Sequence, residues 1–331
     1  MTQPTEPGRR AVAQEKTLGL INGISLVVGL QIGSGIFSTP GVVVANTGSV
    51  GASLIVWVLS GALSWTGASS FAELGAALPL NGGAQAYLGY TFGPMASYLY
   101  TWTSMLVLSP SSKAVTSLIF GEYFNRALWN ATRSEDAPAD IPSWAIQATA
   151  LAAIAGVTLL CVLTQSLGRR AAVIFTSAKI FALVAVTLCG LYQILRGRAS
   201  SALRKDLFTG SSHSPSSYAL ALYSGLWAFD GWDQVSFVGG EMRRPEKNIP
   251  RAIHLSMIIV TVLFLFANLA YFAVLEKDVV GRSNTIALDF GWTLFGPVGG
   301  ALFALTVALS CFGALNGKPP SLPFATPPIT D

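Results

Sequence analysis

Long apolar runs, joined by short polar segments, organise the whole chain. They cover residues 19–45, 50–75, 94–124, 143–166, 170–195, 217–240, 252–275 and 286–316. A helix needs about 20 predominantly apolar residues to cross the hydrocarbon of a bilayer, and each run supplies them. The pattern predicts eight transmembrane helices and an all-α integral membrane protein. The third and eighth runs are longer than a crossing needs, which predicts tilt or an overhang into water. Residues 1–18 read as a polar N-terminal tail on the cytoplasmic side, and 317–331 as a proline-rich tail that cannot continue a helix. Between the second and third runs lies "AALPLNGGAQAYLGYTFG", residues 76–93, uncharged and rich in glycine and aromatics. It predicts an interfacial or re-entrant segment rather than a solvated linker.

Composition agrees. Of 331 residues 52% are hydrophobic and 11% charged, against roughly 25% charged in soluble domains. The net charge of +4 falls in the joints, so it does not predict a nucleic-acid partner. Ten basic residues lie on the side of the N-terminus and eight on the other, a weak bias for a cytoplasmic N-terminus. The remaining two, Lys113 and Lys179, fall inside apolar runs. Cys161, Cys189 and Cys311 also lie in apolar runs, without metal or disulfide spacing. The two histidines, His213 and His254, stand in no zinc or nucleophile pattern. No enzyme, metal site or cofactor is predicted.

Two runs carry their own interruption. In the first, "GLQIGSGIFSTPG" (29–41) places Gly33, Ser34 and Gly35 ahead of Pro40. Two interior glycines cost about 1 kcal/mol each relative to alanine, and the proline removes a donor. Irregular backbone at membrane depth survives only where protein or a water-filled cavity satisfies it, so the break is expected to line a cavity. The alternative is a close helix contact, which small residues also serve. In the sixth run, "YSGLWAFDGWDQVSF" (223–237) places Asp230 and Asp233 around Gly231. Mid-membrane carboxylates are costly and usually mark function. Their alternative role is to cap a half-helix that restarts after the break.

Interrupted first and sixth spans point to a repeat-built transporter. Each break exposes amides at one half-helix start and carbonyls at the other half-helix end. A zwitterion fits such a pair. Its carboxylate would lie on the amides of Ser34, Gly35 and Ile36, and its ammonium on carbonyls near Gln31, Ile32, Trp227 and Ala228, with Gly33 between and Asp230 and Asp233 alongside. Lys179, in "TSAKIFAL", lies deep in the fifth run and needs a partner there; the alternative is snorkelling to the interface.

"IGSGIF" in the first run, "YSGLWAFDGW" in the sixth and "GGEMRRPEKNIPRAI" after it resemble the amino acid–polyamine–organocation superfamily, in particular its L-type amino acid transporter branch and the fungal members of that branch. The resemblance covers residues 17–316. It implies a LeuT-like inverted-repeat bundle with a transporter membrane domain over 19–316, its first five-span repeat being 19–195 and an incomplete second one 217–316. It implies a substrate site at the two breaks, with Trp227 as an aromatic gate and Lys179 in place of a sodium ion. The function implied is sodium-independent transport of neutral L-amino acids by alternating access, as a multi-pass protein of the plasma membrane. Residues 125–142 hold no cysteine, so no disulfide-linked heavy chain is expected. The family has more spans than eight, so the chain reads as C-terminally truncated. The alternative function is a truncated, non-transporting relative: a sensor, an interaction partner or an inactive product.

Overall fold

A computed structural model describes residues 16–132, 141–163, 165–204 and 207–316, without the side chains of 130–132, 161–176, 178, 202 and 204. Both predicted tails lie outside these residues, apart from 16–18. The described residues are helical, with two isolated β-bridges.

The first run is two helices, α1 (Leu20–Gln31) and α2 (Gly35–Thr47), bent by 48°. Pro40 lies inside α2. The second run is α3 (Val50–Ala77), whose N-cap Ser49 accepts the Ala52 amide at 3.3 Å. Residues 76–93 end α3 and form a short helix, α4 (Ala84–Phe92), with Tyr87 buried against Phe71 and Tyr90 and Phe92 exposed. That is the profile of an interfacial segment.

The third run is continuous but not uniform. α5 (Pro94–Thr103) passes through a π-helical turn (Ser104–Leu108) into α6 (Ser109–Thr132). Pro110 has no amide and would clash with the carbonyl four residues back. The wider turn immediately before it relieves that conflict. Then follow α7 (Ser143–Leu163), α8 (Gln165–Leu195) and the short α9 (Ser201–Arg204).

The sixth run departs most from expectation. α10 (Pro215–Ala228) stops after 14 residues, turns occupy 229–233, and α11 (Gln234–Phe237) is a single turn. A restarted half-helix of useful length is absent. Asp233 holds the N-cap position of α11, but its side chain makes no capping bond. α12 (Pro245–Val274), α13 (Lys277–Arg282) and α14 (Ile286–Asn316) complete the chain.

By length and hydropathy, four described helices can cross a membrane, α3, α7, α12 and α14, or five with the bent α1–α2 pair. The eight runs all reappear as helix. The π-turn divides the third, α8 enters this comparison only from Lys179, and α10 alone spans about 21 Å at 1.5 Å per residue.

Packing forms two groups. α1 and α3 pack on α12, and α10 packs on α2 and α3; separately, α6 packs on α7 and α14. α8 touches both groups through α12 and α14. The largest core cluster runs through the first group, with Ile32, Ile36, Phe37, Trp57, Phe229, Met257 and Phe264 buried. The outer faces stay apolar: Trp102, Leu106 and Leu108 around the π-turn, and Leu188 on α8, are more than half exposed. Lipid is the solvent that suits them.

Candidate functional site

The two interruptions lock into each other. At the end of α1, the fully buried Gln31 side chain donates from Nε2 to the Phe229 carbonyl at 3.0 Å and to Met257 Sδ at 3.2 Å. Gly231 lies against the same turn: it has φ +110°, and a Cβ there would stand 3.3 Å from the Gln31 nitrogen. At the start of α2, a Cβ on Gly35 would fall 2.7 Å from the Ala228 Cα. Glycine is therefore required at 35 by close backbone approach and at 231 by conformation. Behind them Phe229 packs on Trp57 and Phe264, with ring centroids 6.1 and 5.0 Å away. This aromatic wedge fixes where α10 ends.

Of the predicted polar groups, some are left open and some are used. The amides of Ser34, Gly35 and Ile36 have no acceptor among the described residues; the next, Phe37, returns to the Ser34 carbonyl at 3.2 Å. Ser34 is the N-cap of α2, but its hydroxyl makes no capping bond. The start of α2 thus presents three free donors at the positive end of a 13-residue helix.

Among the carbonyls, Gln31 O already accepts the Gly33 amide at 2.7 Å, and Trp227 O the Asp230 amide at 3.3 Å. Ile32 O and Ala228 O accept nothing among the described residues. The four carbonyls named from the sequence thus reduce to two fully free ones. Gly33 is half-buried, and a Cβ there would meet only its own turn, at 3.7 Å from the Leu30 carbonyl. It borders open space, whereas Gly35 borders protein.

Trp227 is half-buried in the last turn of α10, one residue before Ala228. Asp230 is exposed and Asp233 half-buried, with Gln234 Nε2 donating to Asp233 Oδ1 at 3.0 Å. Tyr100 on α5 lies within electrostatic reach of both carboxylates. Lys179 on α8 is buried, with Cys311 of α14 as its interacting neighbour. Among the described residues it makes no hydrogen bond to the carbonyls freed at the α1–α2 break. The two best-formed cavities, of about 290 and 230 Å³, lie elsewhere, one lined by Val56, Phe208 and Tyr218 and the other by Ser38, Glu122 and Asn284.

Three residues have supporting roles that the sequence did not assign. Gln31 was read for its carbonyl, but its side chain ties the breaks together. Tyr123 on α6 is fully buried; its hydroxyl donates to Phe37 O at 2.6 Å and accepts the Ala287 amide at 3.4 Å, joining α2 to α14. Lys113 donates to Ala314 O and Leu315 O at 3.1 and 3.0 Å, neutralising the C-terminal end of α14. A polar group inside an apolar run demands a partner, and that demand was the only available signal.

Among the described residues no three His, Cys, Asp or Glu side chains gather as a metal site. Cys311 is buried and Cys189 half-buried, and both are free thiols; the side chain of Cys161 lies outside the described residues.

Comparison with known proteins gives the kinship. The family model described as "Amino acid permease" matches residues 18–317. The chain is 37% identical over 308 residues to the b(0,+)-type amino acid transporter 1 of Mus musculus, covering 93% of this chain and 61% of the relative. It is 36% identical over 311 residues to the cystine/glutamate transporter of Homo sapiens, covering 94% and 60%. It is 36% identical over 310 residues to the Asc-type amino acid transporter 1 of Mus musculus, covering 92% and 56%. The chain thus spans about three fifths of the length of these curated relatives, all transporters and none an enzyme. With broken apolar helices and a family model that covers nearly all of it, the chain belongs to the amino acid permease family of multi-pass membrane proteins.

Proposed function

We propose that this chain belongs to a sodium-independent transporter of neutral L-amino acids, of the L-type branch, that works by alternating access. The observation that carries the reading is the interlocked pair of breaks, which leaves three amides and two carbonyls unpaired at one place in an apolar bundle. Unsatisfied backbone groups at membrane depth cost several kcal/mol each unless a ligand or water meets them. A free α-amino acid carries the matching pair of charges. Its carboxylate lies on Ser34, Gly35 and Ile36, and its ammonium on the Ile32 and Ala228 carbonyls, with Gln31 holding the two breaks in register. Trp227 closes over the substrate, and Asp230 and Asp233 face it from the turn.

Lys179 takes the place of a sodium ion in this reading, as a fixed charge between α8 and α14. Residues 19–316 form the membrane domain in this reading, with the first five-span repeat over 19–195 and residues 217–316 belonging to the second. The plasma membrane is the proposed location. Residues 125–142 lack cysteine, which supports the absence of a disulfide-linked heavy chain.

Uptake of radiolabelled leucine and methionine in cells deficient in neutral amino acid permeases tests the reading. Saturable uptake that survives replacement of external sodium by choline is expected. A steep sodium requirement contradicts the role of Lys179, and uptake no greater than in empty-vector cells contradicts the transport reading.

A further inference from the structure

Three cations near the ends of α6, α8 and α12 have partners within the chain. Arg126 pairs with Glu122 at 2.8 Å, Arg196 lies 4.8 Å from the centre of the Tyr192 ring, and Lys277 donates to the Gly48 carbonyl at 3.1 Å. At the start of α1 and of α12 five cations cluster instead. Lys16, Arg243, Arg244, Lys247 and Arg251 are all exposed, and none forms an ion pair among the described residues.

The backbone holds these five together. The Leu18 amide donates to Glu241 O at 3.1 Å, the Arg243 amide to Leu18 O at 2.8 Å, and Arg243 Nε to Lys16 O at 2.9 Å. Residues 16–18 are thereby strapped to 241–243. Arg244 follows with φ 48°, the one non-glycine residue of positive φ among the described residues, and Pro245 opens α12. Lys247 and Arg251 stand one helical turn apart, where like charges repel. They also crowd the positive end of the helix dipole. Among the described residues no ion pair to Glu246 offsets this. Pro245 and Ile249 are already buried, so Arg244, Lys247 and Arg251 stand on the exposed side of the first turns of α12.

We propose that the surface formed by Lys16, Arg243, Arg244, Lys247 and Arg251 docks anionic lipid headgroups of the adjoining leaflet. It rests on the membrane reading and is independent of transport. Juxtamembrane cations are the chemistry that selects anionic over zwitterionic lipid, through a field that salt screens. A bilayer supplies the negative charge that offsets five clustered like charges.

The test uses the full chain purified in neutral detergent and titrated with dioctanoyl phosphatidylserine or dioctanoyl phosphatidylcholine. Binding is read by native mass spectrometry. Phosphatidylserine is expected to bind at least about tenfold more tightly at low salt, with the preference falling as salt rises. The triple variant Arg244→Asn, Lys247→Gln, Arg251→Gln is expected to lose that preference; asparagine tolerates the left-handed conformation of residue 244. Arg196→Gln with Arg282→Gln, at cations outside this surface, is expected to keep it. If the triple variant aggregates, Lys247→Gln alone, on an exposed helix face, is expected to weaken the preference severalfold. Equal affinity for the two lipids, an unchanged preference in the folded variants, or an equal loss in the control would overturn the proposal.

Discussion

The α1–α2 break and the α10–α11 break meet at one place, yet they are built differently. The first keeps two real half-helices, of 12 and 13 residues, and its irregular part is three residues long. Its product is a set of free amides at a helix start. The second gives up its helix: five turn residues lead into a helix of four. Its product is a free carbonyl and two carboxylates. The first break thus holds all the free amides together with the Ile32 carbonyl, and the second holds the Ala228 carbonyl and both carboxylates. Their contact also differs from residue to residue. Gly35 and Gly231 are filled by the opposing break, whereas Gly33 borders open space. Small residues within one short motif therefore serve two separate purposes, packing and access.

That division can be broken at its strongest contact first. Gly35→Ala drives a methyl into the Ala228 backbone, which cannot rotate away. Overpacking of this kind costs about 1–3 kcal/mol or more. A lower thermal midpoint of the purified variant is the expected result, with substrate binding lost as a consequence. Gly231→Ala brings a methyl within 3.3 Å of the Gln31 nitrogen, a milder conflict than at Gly35, and forces φ +110° on an L-residue, at a cost of about 1–3 kcal/mol. Here too the thermal midpoint is expected to fall, by no more than in Gly35→Ala. Gln31→Leu removes the donor to Phe229 O and leaves that carbonyl buried, a loss of about 1–3 kcal/mol. The loss is partly offset because Gln31 Oε1 is itself buried without a partner. A stability change under about 1 kcal/mol is expected from chemical denaturation.

The smallest effect on stability is expected at Gly33. A methyl there meets nothing closer than 3.7 Å, so unfolding should move by less than about 0.5 kcal/mol. Leucine affinity, by contrast, should fall at least severalfold, because the methyl enters the space reserved for ligand. Gly33→Ala thus separates the two purposes that Gly35→Ala confounds. Equal and unchanged affinity in Gly33→Ala would place the ligand elsewhere.

Much of this was legible in the sequence, because apolar periodicity and glycine placement are local signals. The apolar runs, the break at 33–35 and the reading of 76–93 as something other than a solvated linker all followed from composition and spacing; the helix at 84–92 within that segment did not. The second break was located correctly but given too much helix. An aspartate spaced like a cap predicted a restart, whereas the Trp57–Phe229–Phe264 wedge and the Asn81–Val238 bridge hold the segment as turns. Those are long-range contacts, and no local rule encodes them. For the same reason the sequence did not show that Gln31 O and Trp227 O each accept one amide, because those turns form only once the chain has bent. Lys113 and Tyr123 announced themselves as polar groups in apolar runs, but their partners lie more than 80 residues away in sequence.

The central claim is that the two breaks form one site for a zwitterion, and competition against bound radiolabelled leucine tests it most directly. The purified chain is titrated with unlabelled leucine, with leucinamide, which lacks the carboxylate, and with N-acetyl-leucine, which lacks the ammonium. Only leucine is expected to compete in the same concentration range, because the free amides of Ser34, Gly35 and Ile36 and the free carbonyls of Ile32 and Ala228 each need their own charge. Competition by either derivative as effective as that of leucine would contradict the account.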